Sequence, residues 1–122
     1  MRAEKPYKRT ERIAQQILEI LGEIKVRHID LSRLGFITFT NATISTDLSH
    51  AKVFYSVIKP RIEPEDITKE LNRIKGGFRK YLAPELHIRI IPELTFYYDE
   101  TIEYTEKIGK IINIIHQDNN DI

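Results

Sequence analysis

Apolar residues recur every three or four positions near the start of the chain: Ile13, Ala14, Ile17, Leu18, Ile20, Leu21 and Ile24. That spacing lines one side of a helix, and Pro6 suits its first turn, so a helix is predicted over about 7–25. After the polar connector VRHIDLSRLG the period changes. GFITFTNATIS (35–45) alternates and is rich in Thr, Ile and Phe, as a strand should be. Thr46 to His50 reads as a turn, and AKVFYSV (51–57) as a second strand pairing back in a hairpin. Lys59-Pro60-Arg61 ends it. Glu63-Pro64-Glu65-Asp66 opens a helix, with proline in the first turn and acids at the positive dipole end. Its apolar face is Ile67, Leu71 and Ile74. Beyond Gly76-Gly77, Phe78, Tyr81 and Leu82 restart a short helix that Ala83-Pro84 ends. LHIRIIPELTFYYD (86–99) reads as a long strand interrupted at Pro92, which has no N–H for a ladder. A last helix is predicted over 101–116, with Ile108, Ile111, Ile112 and Ile115 on one side.

The order α-β-β-α-α-β-α predicts an α+β fold: a three-stranded sheet covered on one face by helices. The domain is expected over 1–116, with 117–122 as a polar, disordered tail. A length of 122 residues favours one domain, and 41% hydrophobic with 30% charged residues fits a soluble globular one. No apolar run approaches a membrane span, and MRAEKPYKRTER lacks the apolar stretch of a secretory signal, so the cytoplasm is the expected location. The absence of cysteine removes disulfides and thiolate metal sites.

The formal net charge of +1 says little, but its distribution says more. In RIKGGFRKYL (73–82), Arg73 and Lys75 precede two glycines, Arg79 and Lys80 follow them, and no acid intervenes. Glycine inside a helix costs about 1 kcal/mol relative to alanine, so the pair points to a helix end or a bend. A C-cap accounts for one glycine and for the bases ahead of it, which complement the dipole. It leaves out Arg79 and Lys80, expected at the start of the next helix, where positive charge is slightly unfavourable. Bases on both sides of a bend suit a phosphate-contacting surface. A second basic group comprises Lys5, Lys8, Arg9 and Arg12, the last two spaced to share a helix face. Lys25, Arg27 and Arg33 lie near the connector.

Catalytic constellations are sparse. Ser45, Asp47, Ser49 and His50 sit within six residues, where adjacent Ser49 and His50 cannot align with a third orienting group; a turn role is the simpler reading. His28 and Asp30 need further ligands to hold a metal, and His87 and His116 have no partner spacing. There is no Walker motif and no dinucleotide fingerprint. No catalysis, cofactor, metal or small-molecule substrate is expected. Asp99 is placed to cap the last helix. Tyr97 and Tyr98 alternate faces of the strand, so one is expected in the core, and base stacking by the other is the less favoured reading.

Four stretches resemble the ribosome-binding factor A family, whose fold is a type II KH domain. They are KRTERIAQQILEIL in the first helix; Phe36-Ile37-Thr38 with Ile44 to Val53 in the hairpin; Leu71 to Arg79 at the paired helices; and RIIPELTFYYD (89–99) in the third strand. The resemblance covers about residues 8–112. It implies a non-enzymatic factor that binds free 30S subunits and 16S precursor rRNA, supports 5′-end processing by separate nucleases and late maturation, and matters for growth in the cold. Free protein is expected to be monomeric and to have no membrane partner. Ordinary KH modules clamp RNA backbones with a GXXG loop, which this sequence lacks. The family's Ala-x-Gly kink corresponds here to Ile74, Lys75 and Gly76, with Gly77 where a larger residue is usual. From the charge around the bend, the residues expected to contact RNA are Arg73, Lys75, Gly76, Arg79 and Lys80, with Lys5, Lys8, Arg9 and Arg12 as a second group. Read from the residues alone, a KH-like module for other structured RNA, or a protein-interaction module with basic patches, remains open.

Overall fold

The computed structural model describes residues 9–101; the expected helix at 101–116, the tail at 117–122, and Lys5 and Lys8 lie outside them, save for Thr101. Helix α1 (Arg9–Arg27) turns Ile13, Ala14, Ile17, Leu21 and Ile24 inward, at the spacing read from the sequence. Strands β1 (Phe36–Ile44) and β2 (His50–Ile58) form the expected antiparallel hairpin, with a bulge at Thr40, where Phe39 faces Tyr55 and Asn41 faces Phe54. Helix α2 (Pro64–Arg73) begins on Pro64 and buries Ile67 and Leu71. Helix α3 (Lys75–Leu82) follows, then a 3-10 turn at Ala83–Glu85 and strand β3 (Glu93–Tyr98).

The sheet order is β1-β2-β3, with β3 running parallel to β2. Helix α1 packs on β1, and α2 and α3 pack on β3. This is the α+β arrangement with helices on one face that the element order implied. Between the layers, Tyr55, Phe78, Phe96, Ile17, Leu21, Leu71, Leu82 and Leu94 are fully buried. Phe78 sits between Phe39 and Phe96, at centroid distances of 5.8 and 5.3 Å.

Three expectations are corrected. Residues 86–92 are not strand: only Glu93–Tyr98 pairs, because β2 starts at His50, opposite Glu93, and leaves nothing upstream to pair with. The Arg79 guanidinium takes the Ile91 and Pro92 carbonyls instead, at 2.8 and 3.3 Å. The connector is not merely polar, since Leu31 and Leu34 plug the core. An Asx turn shapes it: the Ser32 N–H donates to Asp30 Oδ1 at 2.9 Å, holding that carboxyl below its usual range. Finally, the break between the paired helices falls at Ile74 (φ −99°, ψ 13°) rather than at the glycines. Ile74 is half-buried against the core, and the chain pivots on it, so both glycines lie in the first turn of α3.

One polar side chain holds β3 in place. β3 is an edge strand, and the Phe96 N–H, directed away from β2, donates to Asn72 Oδ1 at 2.8 Å. Asn72 Nδ2 returns a bond to the Phe96 carbonyl at 3.0 Å and another to the Thr68 carbonyl at 3.0 Å. The α2 amide therefore stands where a fourth strand would pair. Asn72→Ala leaves both Phe96 backbone groups half-buried without this partner and is expected to cost about 2 kcal/mol in urea unfolding. A loss below about 0.5 kcal/mol would mean that water replaces the amide at no cost.

Candidate nucleic-acid interface

The paired helices place the predicted bases in three different settings. Arg73, in the last turn of α2, makes a two-point contact with Glu70, Nε to Oε1 at 2.7 Å and Nη2 to Oε2 at 2.6 Å. Arg33, from the connector, reaches the same carboxylate at 2.7 Å. The hydrogen bond from Arg73, then that from Arg33, hold the Glu70 carboxyl down to about 2. Two guanidiniums around one carboxylate leave a net positive, solvent-facing group. Sequence spacing pairs Arg73 with Glu70, but only the fold adds Arg33.

Arg79 is committed elsewhere, tethering the loop ahead of β3. Because α3 starts at Lys75, Arg79 and Lys80 fall in its last turn, where cations complement the helix dipole. The expected electrostatic penalty at these positions is thereby overturned, and local electrostatics account for them as they do for Arg73; the penalty falls instead on Lys75, the first residue of α3.

What stays open is Lys75, Gly76 and Lys80. Nothing lies within 4 Å of where a Gly76 Cβ would be, and Gly76 and Lys80 are one turn apart on an exposed face of α3. The Gly77 face turns inward, where a Cβ would lie 3.4 Å from Ile29 Cδ1. Tyr81, on that side, stacks on His28 at 4.1 Å with the rings 4° from parallel, while Lys80 Nζ lies 5.7 Å from the tyrosine ring. Neither glycine at the junction has a positive φ. Gly76→Ala is thus expected to raise stability by about 0.4–1 kcal/mol in thermal or urea unfolding. A destabilised variant would show that the first turn of α3 requires glycine's backbone freedom.

Of the N-terminal bases, Arg9 and Arg12 are exposed in the first turn of α1. The 45–50 turn has the expected local role. Asp47 Oδ1 accepts from Ser49 Oγ at 2.7 Å, Ser45 Oγ at 2.8 Å and the Ser49 N–H at 3.1 Å. Those bonds, the Ser49 hydroxyl foremost, hold the Asp47 carboxyl down to about 2. His50 Nδ1 lies 2.9 Å from Ser49 Oγ, so the carboxylate engages the serines and does not orient the imidazole. Asp99 Oδ1 accepts the Thr101 N–H at 3.0 Å, and the rest of the helix it is expected to cap lies outside the described residues. Among the described residues, no group of three or more His, Asp or Glu could hold a metal, and no helix is long and apolar enough to cross a membrane.

The sequence profile described as ribosome-binding factor A matches residues 9–112, from the first residue of α1 past the end of β3. The chain belongs to the ribosome-binding factor A family. A ribosome-binding factor A of Staphylococcus carnosus is 38% identical over 109 residues, 89% of this chain and 95% of that protein. The crystal structure of ribosome-binding factor A from Thermus thermophilus superposes with a TM-score of 0.64, covering 75% of this chain and 97% of that one at 23% identity. A homology model of the T. thermophilus factor, fitted into a cryo-EM map of its 30S complex, gives a TM-score of 0.57 at 23% identity, over 72% of this chain and 92% of that one. These two likenesses establish the fold. In this ribosome-binding factor A family member, the bend centres on a half-buried isoleucine where the family resemblance leads one to expect alanine.

Proposed function

We propose that this protein is an assembly factor of the small ribosomal subunit. It binds free 30S particles and their 16S precursor rRNA, supports 5′-end processing by separate nucleases and late maturation, and matters most in the cold. It does no chemistry of its own and works in the cytoplasm, as a monomer when free. The observation that carries this reading is the family match over residues 9–112. The 30S complex of the T. thermophilus factor supports the choice of partner. The contact surface is the outside of the α2–α3 junction: Lys75, the open backbone at Gly76 and Lys80, flanked by the Arg33–Glu70–Arg73 group. Lys5, Lys8, Arg9 and Arg12 belong to a second basic patch on the same RNA. Phosphate contacts of this kind position the protein without reading sequence.

The test is co-sedimentation of the full chain with purified 30S particles and with 70S ribosomes over a salt series. Retention on 30S and not on 70S is expected. No 30S retention at low salt would overturn the proposal. Lys75→Gln with Lys80→Gln should lower the slope of log affinity against log salt by about two, one per lost phosphate contact. Arg73 and Arg79 are poorer test positions, because each also holds a structural contact.

A further inference from the structure

Helices cover one face of the sheet, and alternation along the strands assigns the residues of the other. In register across that outer face run Phe36 with Ile58, Thr38 with Ser56, Asn41 with Phe54 and Tyr97, and Thr43 with Lys52 and Thr95. Phe36 is 65% exposed, Ile58 59% and Tyr97 40%. Phe54 and Tyr97 form a tilted ring pair with centroids 5.8 Å apart. Each exposed ring has an ammonium beside it: Lys52 Nζ is 6.0 Å from the Tyr97 ring and Lys25 Nζ is 5.6 Å from the Phe36 ring.

The acids of this face are engaged at its margins. Glu93 lies 3.7 Å from His50 at one end. Asp99 accepts from Thr40 Oγ1 at 2.6 Å and from the Thr101 N–H. Beyond Ile58 the rim is cationic, with exposed Lys59 and Arg61. Lys59 keeps a lysine at a left-handed position (φ 52°) that glycine or asparagine fits more easily.

We propose that this outer sheet face is a second RNA contact, one that takes unpaired bases of a single strand. The proposal rests on the reading that the partner is ribosomal RNA. Rings separated by hydroxyl and amide side chains do not make the continuous apolar patch that a packed protein helix needs. They do make separate stacking stations with hydrogen-bonding groups between them, and every base has a face to stack. Lys52, beside the Tyr97 ring, supplies charge for the connecting phosphates together with Lys59 and Arg61 on the rim, while the Lys25 ammonium is committed to the Ile37 carbonyl at 2.6 Å. Ile58 lies four positions beyond Phe54 in β2, so the Phe54–Tyr97 and Phe36–Ile58 stations stand roughly 13 Å apart, room for a short run of nucleotides. This surface is opposite the α2–α3 side, so one chain can hold structured RNA on its helices and a loose strand on its sheet.

The experiment uses the full chain labelled with nitrogen-15 and two probes, octa-adenylate and an RNA hairpin with no single-stranded tail. Octa-adenylate should shift the amides of Thr38, Phe54, Ser56, Thr95 and Tyr97, and the hairpin should leave them in place. Phe54→Leu with Tyr97→Leu keeps apolar side chains at both positions but removes the ring faces, and should weaken octa-adenylate binding at least about tenfold. Octa-adenylate shifts confined to α2–α3, or an unchanged affinity in a folded double variant, overturn the proposal. Shifts on this face that grow with protein concentration alone assign it to a second copy and overturn it equally. Sedimentation separates the two ideas. If the wild type is retained on 30S but its sheet face ignores octa-adenylate, only the sheet inference fails. If the wild type is not retained, the ribosomal reading fails and takes this inference with it.

Discussion

Phe78→Ala is expected to destabilise the domain by about 3–5 kcal/mol, a large part of the roughly 5–15 kcal/mol that typically holds such a fold. Phe78 is fully buried and is the α3 residue that meets rings from both outer strands of the sheet, Phe39 on β1 and Phe96 on β3. Truncation removes the aromatic contacts and leaves a cavity that neighbours on three elements cannot jointly fill. Urea unfolding followed by circular dichroism measures it. Phe78→Leu, which keeps more of the volume, should lose a smaller share. A cost below about 1 kcal/mol for the alanine variant would show a core that collapses freely around the deletion.

Gly35→Ala is expected to cost about 2–4 kcal/mol, from left-handed backbone strain together with overpacking. Gly35 has φ +130°, and a Cβ there would sit 2.9 Å from the Lys59 carbonyl oxygen, from Pro60 Cα and from Val57 Cγ2. Two of those neighbours are backbone and cannot swing aside. The Arg61 N–H donates to the Leu34 carbonyl at 3.0 Å, so the connector before β1 and the loop after β2 are tied together at this point. A thermal melt of the variant is the measurement, set beside Gly76→Ala, for which a gain is expected. Equal melts for the two would mean that the crossing at Gly35 relaxes without cost.

The contrast between these glycines shows what a local stretch of sequence encodes and what it does not. Gly76-Gly77 stand out because two glycines interrupt an apolar period, yet the chain bends at Ile74 and neither needs a special φ. Gly35 carries no such mark at the end of its connector, yet among the described glycines it is the one at which a Cβ would meet atoms closer than 3.0 Å. Its requirement comes from residues 57–60, far along the chain. The same holds for Asn72, whose partners on Phe96 are 24 positions away. It holds also for Arg79, whose carbonyl partners lie 12 and 13 positions away. Within the basic cluster, the residue types were legible and their commitments were not. Arg73 and Arg79 are partly occupied within the molecule, while Lys75, Gly76 and Lys80 remain open.

The sequence by itself determined the described helices, apart from where the paired ones divide, together with the hairpin and the local hydrogen bonds of the 45–50 turn. Each is written by dihedral periodicity or by bonds spanning a few residues, so neighbouring letters suffice. The blocks matching ribosome-binding factor A were legible for the same reason, as runs of adjacent residues. Only the tertiary structure decided that β3 lies parallel beside β2, and that 86–92 has no strand to pair with. It also decided that Arg33 joins Arg73 on one carboxylate, and that Phe36, Phe54 and Tyr97 share the sheet face that the described helices leave uncovered. These depend on which distant segments meet, and that is settled by the packing of the whole core rather than by any stretch within it.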